Sequence, residues 1–333
     1  MSLTKHGLRS WALAILSAGL VAGWIVQKPD LPSRVHLAAP STNEVNLVVF
    51  GDWGYSGWSS HLGGVVRQMQ RYLESQHTRF DAAILAGDNF YGDLPNGAAD
   101  HRWQRDFQRP FGADVFRMPF YVALGNHDYS KKNLGAEFEY TQRDPTHRWK
   151  LPSKWYAVNF PPNNPLVTVL MLDSNLPRLT PEEREQQSIW LQSTVAAATN
   201  APWLVAVAHH PLFSNGHGGD DMALITQWAD LFKTNGVDFY IAGHDHTMQH
   251  LEIPAQSTSF LVSGGGGAKL EEIRRADRGP FARSIHGFIH LSFNSNEARV
   301  AVISESGEVL HEFTRAARGS PPVIQTTRIE KAR

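Results

Sequence analysis

Five apolar segments of the chain end in side chains that can bind metal ions or move protons. Each segment is short and rich in β-branched, aromatic or alanine residues, as in VNLVVF and WLVAVA. The polar residues that follow these segments are Asp52; Asp88 and Tyr91; Asn126, His127 and Asp128; His209 and His210; and His244, Asp245 and His246. A single Asp or Asn after a strand usually closes a turn or caps a helix. Five such endings, two of them with paired histidines, instead predict one shared site at the carboxyl edge of a sheet.

The donor types in this set favour a site for two metal ions. Two cations about 3.5–4 Å apart need a bridging carboxylate, further oxygen and imidazole ligands, and open positions for water and substrate. Asp88 can bridge through its two carboxylate oxygens, and Asn126 adds a neutral oxygen that limits the negative charge. The chain has 16 histidines and no cysteine, which excludes thiolate ligands, disulfides and a cysteine nucleophile. Taken alone, His244 and His246 are equally well explained as ordinary loop histidines.

The segments that carry these residues alternate with amphipathic stretches. Strands are predicted over residues 45–50, 81–86, 120–125, 166–172, 203–208 and 237–243, and helices over 61–75, 181–198 and 221–236. From about residue 248 to 314 the pattern is mainly that of strands, in part antiparallel. The alternation is typical of βαβ units and predicts an α/β sandwich with sheets inside and helices outside.

Composition restricts the classes of partner. The chain has 333 residues, of which 42% are hydrophobic and 19% charged, enough for one large core or two smaller ones. Its 31 Lys and Arg and 32 Asp and Glu give a net charge of −1. This balance gives no electrostatic reason to expect nucleic acid as a partner. We expect a monomer with local binding sites.

The two ends of the chain are distinct from the folded part. Lys5, His6 and Arg9 precede an apolar run over residues 11–26, which is typical of a secretory signal but also leaves open an uncleaved membrane anchor. We predict a signal peptide or anchor over 1–27, a linker over 28–44, a catalytic domain over 45–316 and a flexible tail over 317–333. The folded part is expected to be exported, either periplasmic or secreted.

Taken in order, the blocks GDWG, GDNFY, GNHD, HHP and GHDH resemble those of the metallophosphoesterase superfamily, and within it the purple acid phosphatases of the small tartrate-resistant type. The resemblance covers about residues 45–315 and extends to PFYVALGNHDY, LPSKWYAVNF, VLMLDSN and LVSGGGG. It implies a four-layer αββα sandwich, in which two mixed sheets are flanked by helices.

The resemblance also implies a role for each donor. Asp52, Tyr91 and His246 would bind Fe(III), Asp88 would bridge, and Asn126, His209 and His244 would hold a second metal, Fe(II), Zn or Mn. Generic members of the superfamily usually carry D-x-H in the first block, whereas this chain has Gly54 at the position of that histidine. A phenolate from Tyr91 would replace the missing ligand. The alternative for Tyr91 is a packing aromatic beside Phe90.

The implied activity is that of an acid phosphatase acting on small phosphate monoesters, by direct attack of a metal-activated hydroxide at an Fe(III)–M(II) centre. Asn126, His127 and His210 would contact the substrate, with His127 donating to a phosphoryl oxygen. His217 would protonate the leaving group, although its loop is one residue shorter than in the family pattern and a surface histidine is the alternative. A dinuclear phosphodiesterase or nucleotidase, or a redox iron protein, remains as another hypothesis.

Overall fold

The computed structural model describes residues 43–58, 60–130, 132–317 and 325–326. The apolar run over 11–26, the predicted linker up to residue 42 and most of the predicted tail lie outside the described residues. Among the residues that are described, no helix combines the length and apolar character that a membrane span requires.

The described strands and helices follow one another in the order below. The strands are β1 (Val45–Phe50), β2 (Ala82–Leu85), β3 (Phe120–Val122), β4 (Trp149–Lys150), β5 (Tyr156–Phe160), β6 (Val167–Met171), β7 (Trp203–Val207), β8 (Phe239–Ala242), β9 (Met248–Glu252), β10 (Ser259–Ser263), β11 (Phe281–Arg283), β12 (Gly287–Phe293), β13 (Glu297–Ser304), β14 (Val309–Ala316) and β15 (Gln325–Thr326). The α-helices are α1 (Leu62–Gln76), α2 (Asn133–Arg143), α3 (Pro181–Ala197), α4 (Met222–Leu224) and α5 (Asp230–Asn235). Two π-helical segments cover Trp103–Gln108 and Ile225–Ala229, and short 3₁₀ turns cover Gly97–Ala99, Leu176–Arg178 and Ala198–Asn200.

These strands form two mixed sheets. One has eight strands in the order β15-β14-β13-β12-β1-β2-β3-β4, and the other has seven in the order β11-β9-β10-β8-β7-β6-β5. The neighbours from β1 to β4 run parallel, as do β6, β7, β8 and β10. The remaining described pairs are antiparallel.

Strand β6 illustrates how the layers pack. Val167 and Val169 belong to a large hydrophobic cluster that combines residues of both sheets with α1 and α2. Leu170 and Leu172 belong to a second cluster with Leu191 of α3. Because successive side chains of a strand point to opposite faces, β6 is buried on both sides. The predicted α/β sandwich, with two mixed sheets and helices outside them, is confirmed.

The predicted helices are present, and their ends follow from local chemistry. Helix α3 begins with a capping box in which Thr180 and Glu183 each bind the other's backbone N–H, and Pro181 occupies its first position. Helix α5 ends at Gly236, whose φ of 64° is left-handed. The helix predicted over 221–236 is not uniform, because a π-helical segment separates α4 from α5. Hydrophobic periodicity does not reveal such a local change of helix type.

Several elements differ from the sequence-based prediction. Helix α2 and the strands β4 and β5 were not among the predicted elements, whereas β9 to β14 lie in the region predicted to consist mainly of strands. The strand predicted over 120–125 stops at Val122, because the next residues turn toward the sheet edge and the N–H of Gly125 donates to Asp128 Oδ2 at 2.7 Å. Inside the predicted tail, β15 pairs with β14.

Candidate metal centre

The carboxyl ends of parallel strands from both sheets meet at one edge of the sandwich. Asp52, Asp88 and Asn126 follow β1, β2 and β3, while His209 and His244 follow β7 and β8. Hydrogen bonds join the two sheets here: the N–H of Gly51 donates to Ser263 O at 2.7 Å, and the N–H of His244 donates to Asp52 Oδ2 at 2.9 Å. The strand ends are therefore held directly against one another.

The backbone at this edge is strained at three donor residues. Asp52, Asp88 and His244 have φ values of 60°, 53° and 68°, in the left-handed region that costs a residue other than glycine on the order of 1 kcal/mol. Packing also requires glycine at position 125, since a Cβ there would lie 2.2 Å from the backbone nitrogen of Asp88. Strain concentrated at one edge is typical of a functional site.

One group of donors contains Asp52, Tyr91 and His246. Tyr91 Oη lies 3.2 Å from Asp52 Oδ1 and 2.9 Å from His246 Nε2. Donor atoms of Asp52, Asp88 and His246 all lie within 4.8 Å of one another. The other ring nitrogen of His246, Nδ1, lies 2.6 Å from Lys269 O, which favours the tautomer that leaves Nε2 free to bind a cation.

A second group contains Asn126, His209 and His244. Asn126 Oδ1 lies 3.1 Å from both His209 Nε2 and His244 Nδ1, and these two nitrogens are 3.3 Å apart. The ring of His209 is fully buried, and its Nδ1 lies 2.8 Å from Ala86 O. As with His246, this bond leaves the nitrogen that faces the site free.

Asp88 lies between the two groups. Its Oδ1 is 3.4 Å from His209 Nε2, and it also shares the cluster of Asp52 and His246 described above. The structure thus brings all seven predicted ligands together and puts the predicted bridging carboxylate in contact with both groups.

The charges of the site suit cations. Burial favours the neutral form of Asp88, yet the His209 ring and the contacts of His127 together lower its pKa. Burial likewise opposes protonation of His209, but Asp88 and then Asp52 outweigh it and raise its pKa to about 10. Burial, followed by the Asp52 and Asp88 carboxylates, raises the pKa of Tyr91, so a phenolate there requires cations nearby. Oxygen and nitrogen donors without sulfur fit hard or borderline metal ions.

The environment of Tyr91 explains why a histidine is missing at position 54. A Cβ on Gly54 would lie 2.1 Å from Asn89 O, and the N–H of Tyr91 donates to Gly54 O at 3.3 Å. The turn that carries Tyr91 therefore occupies the space a side chain at position 54 would need. Phe90 packs in the core with its ring 4.6 Å from that of Trp103, whereas Tyr91 faces the donor groups.

The predicted substrate-contacting residues surround the donors. His127 is 47% exposed, with Nε2 4.0 Å from Asp88 Oδ2 and its ring 4.4 Å from that of Tyr91. His210 lies 4.4 Å from the His244 ring and its Nδ1 is 2.8 Å from Ser174 Oγ. Burial, then the neighbouring His209 and His244 rings, lowers the pKa of His210 to about 2. A cavity of about 350 Å³ opens beside His210 and His244. His217 is exposed, on the loop that follows β7.

Further residues support the turns that carry the donors. The carboxylate of Asp128 accepts the backbone N–H groups of Asn89, Phe90 and Gly125 and so joins the turns after β2 and β3.

Arg102 supports the turn that carries Tyr91. It donates to Tyr91 O at 2.9 Å and to Gly54 O at 3.0 Å, and pairs with Asp106 at 3.0 Å. No local sequence signal distinguishes Arg102 from a surface arginine.

Comparison with known proteins agrees with the fold. The sequence profile of the calcineurin-like phosphoesterase family matches residues 45–248, and the chain belongs to this family. Within the family, the chain is similar to tartrate-resistant acid phosphatase type 5 of Homo sapiens, at 31% identity over 329 residues, covering 90% of this chain and 98% of the relative. Purple acid phosphatase 17 of Arabidopsis thaliana is 27% identical over 292 residues, covering 83% and 85%. The predicted family and the interpretation of the chain as a phosphoester hydrolase are confirmed.

Solved structures share the fold. GAP50, described as the anchor in the inner membrane complex of Plasmodium, matches with a TM-score of 0.71 and 22% identity, over 83% of this chain and 89% of that chain. Purple acid phosphatase PPD1 from yellow lupin (Lupinus luteus) seeds matches with a TM-score of 0.64 and 18% identity, over 82% and 54%.

Proposed function

We propose that the protein is an acid phosphatase that hydrolyses phosphate monoesters at a centre of two metal ions. The observation that carries this proposal is the pair of donor groups that share Asp88, with the Tyr91 phenol in one of them. The similarity to relatives named tartrate-resistant and purple acid phosphatases supports it.

The two groups differ in charge, which suits two different cations. Asp52, Tyr91 and His246 would hold Fe(III), because carboxylate and phenolate are hard anionic donors. Asn126 and the deprotonated rings of His209 and His244 would be neutral ligands and would hold a divalent metal, Fe(II), Zn or Mn, with Asp88 bridging. When bound, the metals would supply positive charge for the phosphoryl oxygens and lower the pKa of the attacking water.

The protein groups around the donors would orient the ester and move protons. His127, half-exposed beside Asp88, is in position to donate to a phosphoryl oxygen and to stabilise the charge that develops there. His210 stays neutral and lines the pocket. As the water oxygen bonds to phosphorus, the bond to the leaving oxygen breaks, and that oxygen takes a proton from His217. The products are an alcohol and inorganic phosphate.

The remaining expectations belong to the same proposal. Small phosphomonoesters are the expected substrates, and a monomer is the expected state. Export rests on the apolar run over residues 11–26, outside the described part of the chain.

The visible spectrum of iron-loaded protein, recorded alongside aryl phosphate hydrolysis across pH, tests the proposal. A tyrosinate bound to Fe(III) gives a broad charge-transfer band, so we expect Tyr91→Phe to abolish the band and wild-type activity to peak at acidic pH. Tyr55→Phe is the matched control, because Tyr55 packs edge-on against Tyr91 with ring centroids 6.1 Å apart.

Other outcomes would contradict the proposal. A band that survives in Tyr91→Phe would remove the phenolate assignment. Colourless protein that is active with two Mn or Zn ions would favour a phosphodiesterase or nucleotidase. Iron-containing protein without hydrolytic activity would favour a redox role.

A further inference from the structure

We infer that Arg278, Gln249 and Asp245 are positioning residues that hold the loop over residues 214–220 so that His217 faces the leaving group. The inference rests on the proposed phosphatase function. It assigns a role to Asp245, within the GHDH block, and to Gln249 and Arg278, which lie outside the sequence motifs.

The loop has no helix or strand, yet much of it is buried. Ser214, Asn215 and Gly216 are buried, whereas His217 is exposed. Buried backbone groups outside helices and sheets must find other hydrogen-bond partners. The partners of this loop therefore determine where His217 lies.

Asp245 accepts hydrogen bonds from two residues of the loop. One carboxylate oxygen, Oδ1, accepts the N–H of Gly218 at 2.9 Å, and the other accepts the Ser214 hydroxyl. The N–H of Gly216 in turn donates to Ser214 Oγ at 2.9 Å. Because Asp245 stands between His244 and His246 in the chain, these bonds fix the loop relative to the metal-facing histidines.

Gln249 and Arg278 also bind the loop. Gln249 of β9 is fully buried, donates to Ser214 Oγ at 3.0 Å and accepts the N–H of Asn215 at 2.7 Å. Arg278 donates to Ser214 O and pairs with Asp220 Oδ2 at 2.7 Å, so it links the two ends of the loop. Asn215 Nδ2 donates back to Arg278 O at 3.2 Å.

The ring of His217 differs from this backbone in having no partner of its own. Within the described residues it makes no hydrogen bond, ion pair or ring contact. The backbone of the loop is fixed by hydrogen bonds, whereas the imidazole of His217 is free. This arrangement is expected of a side chain that forms its hydrogen bond with the substrate. The backbone contacts, and not contacts of the ring, then set the distance over which the proton is transferred.

Proton transfer to the leaving oxygen matters most for a poor leaving group. An alkyl alcohol leaves badly as an anion, so as its bond to phosphorus breaks the oxygen needs the proton of His217, which is regained from solvent. The 4-nitrophenolate anion is stable and leaves without that proton. A change that displaces His217 should therefore slow the hydrolysis of alkyl esters selectively.

The test compares glycerol phosphate with 4-nitrophenyl phosphate as substrates of the metal-loaded full-length enzyme. For Arg278→Met we expect kcat to fall about 100-fold on glycerol phosphate and less than about 3-fold on 4-nitrophenyl phosphate. His217→Asn should give the same pattern, and the double variant should lose no more than His217→Asn alone. Metal content and the visible spectrum should not change, and Arg278→Lys should restore part of the loss.

Arg275→Met is the matched control and should behave as wild type. Arg275 lies in the same segment and its backbone N–H donates to Asn215 O at 3.0 Å, but its exposed side chain makes no hydrogen bond or ion pair within the described residues. Ser214→Ala, which removes the hydroxyl shared by Asp245 and Gln249, is a second variant with the same expected pattern.

Equal losses on both esters, or additive losses in the double variant, would overturn this inference alone. A wild-type enzyme that is inactive on both esters would overturn the proposed function, and this inference with it.

Discussion

His209 at a strand end and His290 inside a sheet are both buried, but their pKa values are shifted in opposite directions. His209 is fully buried, yet the Asp88 and Asp52 carboxylates overcome the effect of burial and raise its pKa to about 10. His290 of β12 is also buried, and burial, together with the charge of Arg299, lowers its pKa to about 3. Carboxylates beside His209 reverse the effect of burial, whereas at His290 burial and the charge of Arg299 act in the same direction.

The interior histidines connect layers of the sandwich. His290 lies between the Tyr72 hydroxyl of α1, 3.0 Å from Nδ1, and Asn46 Oδ1 of β1, 2.9 Å from Nε2. His250 of β9 lies 2.9 Å from His311 of β14, and these strands belong to different sheets. Each ring nitrogen of His290 has one partner, which suits the neutral ring and leaves no free nitrogen for a metal.

Replacing one histidine at a strand end and one inside the sheets should give the largest difference in activity between two variants. His209→Asn is expected to lower kcat/KM for an aryl phosphate by a factor on the order of 10³ or more, because the site loses a ligand and with it several kcal/mol of stabilisation. His250→Asn should leave kcat per folded molecule unchanged and lower the urea concentration at which the protein unfolds. Steady-state kinetics, metal analysis and urea unfolding of both variants provide the check.

The comparison would fail if the two variants exchanged behaviours. Normal metal content and activity in His209→Asn would remove that residue from the site. A loss of activity in folded His250→Asn would mean that the interior pair communicates with the metal centre.

An interior histidine such as His290 should make the stability of the fold depend on pH. In the unfolded chain the His290 ring has a pKa near 6.5, so below that pH the unfolded state takes up a proton that the folded state refuses. The stability that His290 contributes is therefore present above about pH 6.5 and is lost as the pH falls toward its folded pKa of about 3. We expect the stability difference between wild type and His290→Gln to shrink by about 3 kcal/mol from pH 7 to pH 4.

Urea unfolding of both proteins at a series of pH values measures this difference. His147→Asn is a suitable control, since His147 is exposed and its φ of 54° is one that Asn tolerates. A difference between wild type and His290→Gln that stays constant with pH would show that the folded ring titrates normally.

The sequence predicted the strand-end donors because their signal is local. An apolar run followed by glycine and Asp88, or by glycine and Asn126, identifies both the strand and the side chain at its end. The supporting residues give no such signal. Arg102 meets Gly54 across 48 residues and Arg278 meets Ser214 across 64, and only the tertiary fold brings these pairs together.

Helix α2 was missed for a related reason. Its buried positions include Asn133 and Glu137, so the apolar periodicity that reveals an amphipathic helix is weak. Asn133 accepts the N–H of Leu94 at 2.8 Å and donates to Gly92 O at 2.8 Å, which makes its burial favourable only in the folded structure.

Glu137 extends the comparison from histidines to carboxyl groups, with the smallest expected effect. It is fully buried, and no N–H or O–H of the described residues donates to its Oε1. Burial, then the neighbouring Asp128 carboxylate, raises its pKa well above 4.5, so the folded state keeps a proton that the unfolded chain loses. Its contribution to stability is therefore complete below about pH 4.5 and decreases as the pH rises.

Glutamine has the same shape and no proton to lose, so Glu137→Gln should be more stable than wild type by about 1 kcal/mol at pH 8, with the advantage vanishing near pH 4. Urea unfolding at the two pH values decides the matter: an advantage that is larger in acid would mean that Glu137 is ionised in the folded protein.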